Sequence, residues 1–95
     1  MVAIIHCKFN LGQLVITPAA LQACQDSNQL PLEFLQRHWQ GDWGEVGQED
    51  WQENELSLVN GFRLLSAYIT NNGTKLWILT EADRSVTTIL LPSEY

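Results

Sequence analysis

Phe62–Leu91, FRLLSAYITNNGTKLWILTEADRSVTTILL, is the stretch that decides the fold. Three runs rich in β-branched and apolar residues, Phe62–Thr70, Lys75–Thr80 and Val86–Leu91, read as strands. Asn71-Asn72-Gly73-Thr74 separates the first two, and Asn-Gly tolerates the positive φ of a type I′ hairpin turn. Glu81–Ser85 is a five-residue link, again of hairpin length. Pro92 closes the third strand, because proline has no N–H to give to a ladder. Strands joined by links this short pair as an antiparallel meander.

Working back from the meander, Phe9–Thr17 (FNLGQLVIT) reads as a further strand, with Gly12 placed for a bulge. It is expected to join the same sheet. Thr17-Pro18 then has the form of an N-cap followed by proline in the first turn, opening a helix over Ala19–Gln25. Ala20, Leu21, Ala23 and Cys24 keep helical spacing, and Asp26-Ser27-Asn28 ends it. A second helix runs from Pro31 to about Gln40, with Leu32, Leu35 and Trp39 on one stripe, and Gly41 stops it. Gly41-Asp42-Trp43-Gly44 is a turn by composition. The third helix covers Gln48–Asn60, with Glu49, Asp50 and Glu53 near the positive end of its dipole and Asn60-Gly61 as its end. The expected class is α+β: one domain over residues 1–95, with a three- to four-stranded antiparallel meander packed against about three short helices.

All six net negative charges fall between Glu33 and Glu55, where seven acids face one base, Arg37. The same segment holds three of the four tryptophans, Trp39, Trp43 and Trp51. The five Lys and Arg are scattered, which argues against binding a phosphate backbone, since that needs clustered cations. Acid and indole together instead suit a half-buried patch or a face that docks a protein partner. The candidate binding residues are Trp39, Asp42, Trp43, Glu49, Asp50, Trp51 and Glu53, with Asp83 and Arg84 from the second hairpin link. The free edge of the meander is also open to homodimer formation.

Met1–Cys7 carries no basic residue ahead of its apolar run and is too short for a signal peptide or a membrane span. Cys7 and Cys24 lack CxxC spacing, so a cytoplasmic chain with reduced thiols is expected. No cofactor or metal is expected. Walker, GxSxG, HExxH and GxGxxG motifs are absent, and His6, Cys7, Cys24 and His38 follow no ligand spacing.

His38 is the residue most open to a catalytic reading. Late in its helix, it could serve as a general base, with Arg84 as a phosphate clamp and Thr87 as an accessory donor. By analogy of architecture, that is a metal-independent ribonuclease of the barnase/RelE-like kind. The competing reading has His38 cap the last carbonyls of its helix or pack against Trp39 and Trp43. Thr87 and Thr88 point to opposite faces of their strand, so a single site can use only one of them.

Four blocks carry a family resemblance. They are Leu11-Gly12-Gln13 with Thr17 and Ala20-Leu21; Phe34-Leu35-Gln36-Arg37-His38 with Gly41-Asp42-Trp43-Gly44; Asn54 with Gly61–Tyr68; and Leu76-Trp77-Ile78 running through Thr80-Glu81-Ala82-Asp83-Arg84-Ser85 to Glu94-Tyr95. On these the chain resembles a family of small bacterial proteins, of no assigned activity, carried on plasmids and other mobile genetic elements. Some are labelled a type I restriction endonuclease subunit M, a label at odds with a chain that has no room for a methyltransferase cofactor loop. The resemblance implies genetic context rather than mechanism. The function expected is that of a small acidic, non-enzymatic accessory protein of a mobile element. It would bind a protein partner through the acidic, Trp-rich face and so counter a host nucleic-acid-handling or defence system.

Overall fold

Elements form in chain order β1 (Gln13–Ile16), α1 (Pro18–Asp26), α2 (Pro31–Trp39), α3 (Gln48–Asn60), β2 (Leu64–Ile69), β3 (Lys75–Thr80) and β4 (Val86–Leu90), followed by a 3-10 turn at Pro92–Glu94. This computed structural model describes residues 7–95; most of the Met1–Cys7 run, and His6 with it, lies outside the described residues. The class is α+β, with three helices and one four-stranded sheet.

The strand order is β1-β4-β3-β2, and the sheet is mixed rather than wholly antiparallel. β2, β3 and β4 form the expected meander. β1 lies parallel to β4, with Gln13 beside Val86 and Ile16 beside Ile89. The correction has a topological cause. No hairpin links β1 to its neighbour; the chain leaves β1 through three helices and re-enters the sheet at its far edge, and such crossovers join parallel strands. β1 is also shorter than the Phe9–Thr17 stretch suggested. Gly12, just before it, has φ +65°, and a Cβ there would stand 2.3 Å from the Ser85 carbonyl oxygen, so glycine lets the chain approach β4 closely.

Local signals placed the helices well. Thr17 caps α1, its Oγ1 accepting the Ala20 N–H at 3.1 Å, with Pro18 in the first turn. α3 ends at Gly61 in the left-handed conformation, φ 75°. The first hairpin departs from the type I′ expectation: Gly73 N–H donates to Thr70 C=O, and Gly73 alone in that turn takes positive φ. That pattern fits a three-residue loop ending in a left-handed residue. The second link is one residue longer, Glu81 N–H donating to Val86 C=O around four residues, but it shares the turn bond, Arg84 N–H to Glu81 C=O, and a left-handed residue, Arg84 at φ 61°.

α1 and α2 cover one sheet face, where Ala20, Cys24, Phe34 and Leu35 meet Tyr68, Leu76, Ile78 and Ile89. α3 lies against the β2 edge. There the Asn54 amide accepts from Leu65 N–H (3.1 Å) and donates to Leu65 C=O (2.8 Å), in place of a neighbouring strand. Farther along that edge, Ala67 N–H donates to Trp43 C=O and Ala67 C=O accepts from Glu45 N–H. Gly44, at φ +75°, makes this possible, since a Cβ would stand 2.1 Å from the Ala67 oxygen. No described helix is long and apolar enough to cross a membrane.

Candidate functional site

His38 is fully buried, at 0% exposure. Its Nδ1 lies 2.5 Å from Ser66 Oγ and its Nε2 lies 2.9 Å from Thr80 Oγ1. Thr80 Oγ1 is 2.8 Å from Thr87 Oγ1, and the Thr87 hydroxyl donates to Leu11 C=O at 2.7 Å. The carbonyl can only accept, which fixes every proton upstream of it. Thr87 spends its hydrogen on Leu11, so Thr80 must donate to Thr87, and the His38 Nε2–H must donate to Thr80. Nδ1 is then the acceptor for Ser66. The ring is held neutral as the Nε2–H tautomer. Burial, reinforced by the Arg84 charge, pushes its pKa down to about 3. Phe9 and Trp43 pack edge-on against the ring at 5.2 and 5.6 Å. A base with no exposed surface and this pKa is not placed to take a proton from a substrate.

Arg84 is likewise engaged. Its Nη1 donates to the carbonyls of Phe62 (2.7 Å), Glu81 (3.1 Å) and Ala82 (3.2 Å), and its Nη2 to that of Ser57 (3.0 Å). The guanidinium ties the second hairpin link to the C-terminal turn of α3. Asp83 bonds within its own turn, accepting from Ser85 N–H and Oγ, and these bonds hold its carboxyl below the usual range. Thr87 is buried in the relay. His38, Arg84 and Thr87 share no open cleft.

The Gly41–Gly44 block is an edge clamp. Arg37 pairs with Asp42 at 2.8 Å and lies over the Tyr68 ring at 4.6 Å. Asp42 accepts from Gly44 N–H, and its main-chain carbonyl accepts from the Tyr68 hydroxyl at 2.6 Å. The Arg37 guanidinium holds the Asp42 carboxyl below its ordinary value, and burial raises that of the Tyr68 hydroxyl. Trp43, expected on a surface, is wholly buried, because its ring fills the space beside Phe9 and His38. Trp39 is half-buried and spends its indole N–H on Phe9 C=O.

What stays open is the outer face of α3. Glu49, Glu53 and Leu56 stand at i, i+4 and i+7, so they share one side of the helix, with Val59 one turn beyond Leu56. Trp51 lies half a turn round from Glu49 and Glu53 and is half-buried, so the indoles do not share this face. Aliphatic and phenyl side chains take their place: Leu56, Val59 and Phe62 are 57, 83 and 60% exposed. Phe62 also lines a groove of about 470 Å3 between α3 and β2, walled by Glu49, Asp50 and Glu53 on one side and Phe62, Arg63 and Leu65 on the other. Arg37–Asp42 is the one ion pair among the described residues, so these three carboxylates face solvent unpaired.

Sequence reasoning thus found the acids but missed their apolar companions, and it gave Ser66, Thr80 and Asn54 no role of their own. A signal was available for the first two, as both are polar residues on the inward phase of their strands. For the metal reading, Cys24 and His38 are buried while Cys7 is exposed, and no group of three His, Cys, Asp or Glu among the described residues could hold an ion. Comparison of the chain with protein-family models, curated proteins and solved structures gave no match in any of the three.

Proposed function

We propose that the chain is a non-enzymatic accessory protein that docks a basic protein partner on the outer face of α3. The observation that supports this most is the juxtaposition of unpaired Glu49 and Glu53 with exposed Leu56 on one side of α3, with Val59 a turn beyond Leu56 and a groove lined by Asp50 and Phe62 alongside. Exposed apolar side chains rimmed by charge are the usual mark of a protein-binding patch, and the carboxylates would select a cationic surface. On the resemblance to proteins of plasmids and other mobile elements, the partner would be an element- or host-encoded protein. A nucleic-acid-handling defence protein, whose own binding surface is basic, matches the charge. Buried His38 and engaged Arg84 give the ribonuclease reading no purchase.

The test is affinity capture with the full chain at low and high salt. The reading expects a salt-sensitive partner that is lost with Glu49→Lys/Glu53→Lys and also with Val59→Asp, while Glu81→Lys retains it. Capture unchanged by both α3 variants, or no salt-sensitive partner at all, refutes it.

A further inference from the structure

The two edges of the sheet are treated in opposite ways. Along β2, the outward groups of Leu65 and Ala67 are all taken, by Asn54 and by the Trp43–Glu45 segment. Along β1, Gln13 N–H donates to Ser85 C=O and Thr17 N–H to Ile89 C=O, so the odd residues turn their main chain toward β4. The N–H and C=O of Leu14 and Ile16 therefore point away from the sheet. Among the described residues nothing takes them.

The strand itself is also apolar and uncharged. Leu14 and Val15, on opposite faces of the strand, are 55 and 40% exposed, and no charged side chain occurs between Lys8 and Asp26. An unpaired edge is normally guarded by a lysine, an inward charge or a covering loop. Among the described residues β1 carries no such guard, in a chain whose net charge is −6 with the excess acids all between Glu33 and Glu55. Two copies could approach along β1 while keeping their α3 carboxylates at opposite ends of the joined sheet.

We propose that β1 pairs antiparallel with β1 of a second copy about a twofold axis at Val15, giving a continuous eight-stranded sheet. This register sets Leu14 of each copy opposite Ile16 of the other, so the four outward main-chain groups of each strand bond reciprocally. Val15 meets its own symmetry mate on the open face. On the helix face lies an apolar groove of about 180 Å3, lined by Ile16, Pro31, Leu35 and Ile89 among others, with room for a leucine side chain. Leu14 of the second copy enters it. Gln13 of one copy falls opposite Thr17 of the other, whose hydroxyl donates to Glu94 at 2.8 Å, so the Gln13 amide gains a carboxylate to bond.

The test is the solution mass of the full chain by light scattering and sedimentation equilibrium, with a reductant present so that the exposed Cys7 thiol does not cross-link. The expected mass is twice 10.8 kDa. Leu14→Lys and Val15→Lys each place two ammonium groups in the seam, one per copy. Each is expected to weaken association by on the order of 100-fold, about a tenfold factor per copy. Both sites are exposed, and unchanged melting of the diluted variants confirms folding. If one variant fails to fold, the other, on the opposite face of the strand, carries the test. Val59→Asp, at the far edge, should leave the dimer intact whatever its effect on partner capture. A wild-type chain that stays at monomer mass at roughly 100 μM, or folded lysine variants that remain dimeric, overturns the proposal. A β1 edge that serves instead for a partner's extended segment predicts the monomer, and so also overturns it.

Discussion

Acid should weaken this protein through one residue, His38, well before its carboxylates protonate. The ring is neutral and fully buried, with a pKa of about 3, while in the unfolded chain it titrates near the ordinary histidine value of 6.5. Between those values the unfolded state binds more protons than the folded one, so stability rises with pH. The contribution is complete above pH 6.5 and is lost as pH falls toward 3. The slope approaches about 1.4 kcal/mol per pH unit, and roughly 2 kcal/mol disappears between pH 7 and pH 5. Asp42 and Asp83 have depressed folded values, so their contributions persist above 3.8 and fail only below that window. The assay is urea unfolding at pH 7, 6 and 5 for the wild type and for His38→Gln. Glutamine also offers an N–H donor group and an oxygen acceptor, with one N–H to spare, but does not titrate. His6 is present in both proteins and cancels in the comparison. The wild type should lose about 2 kcal/mol relative to its value at pH 7 while the glutamine variant loses almost none. Parallel curves for the two proteins would refute the assignment of a buried neutral imidazole.

Two further predictions concern backbone geometry. Gly44→Ala sets a methyl 2.1 Å from the Ala67 oxygen at φ +75°, so it must open the edge clamp. A loss of roughly 3 kcal/mol is expected by thermal or urea unfolding, from left-handed strain together with weakened edge hydrogen bonds. Arg84 holds φ 61° while its guanidinium reaches four carbonyls. Arg84→Ala should cost about 2 kcal/mol, and Arg84→Gly about 1 kcal/mol less than that, because glycine relieves the backbone but restores no side-chain bond. Equal losses for the two would mean that the turn is not strained.

Element positions were legible because they rest on local chemistry. Thr17-Pro18, Asn60-Gly61 and the two short links act within a few residues, and the segments they delimit fall where expected. β1 direction was not legible: read as part of an antiparallel meander, the strand lies parallel to β4, because no tight turn ties it to its neighbour and three helices separate it from the meander. The site was harder to read. Trp43 and Glu49 sit in one acidic stretch, yet one ring fills the core while the other side chain meets solvent, and composition cannot separate them. Phase along α3 can, since Trp51 and Glu49 are two residues apart and so cannot share a face. Applying helical phase to the acidic run picks out Leu56 beside Glu49 and Glu53.

The buried relay also explains how the sheet finds its register. Leu64-Leu65 in β2, Ile78-Leu79 in β3 and Ile89-Leu90 in β4 put apolar residues on both phases, so hydrophobic alternation alone scarcely separates one face from the other. Polar positions do. A one-residue slip of β3 would carry Thr80 to the open face, and the same slip in β2 or β4 would carry Ser66 or Thr87 away. His38 would then be buried with a donor or an acceptor unmet, at about 1–3 kcal/mol per orphaned group. In the observed register no buried side-chain nitrogen or oxygen among the described residues lacks a partner. His38 and Thr87, which look catalytic in sequence, therefore act with Ser66 and Thr80 on the fold itself: they make one pairing of an ambiguous sheet much cheaper than its neighbours.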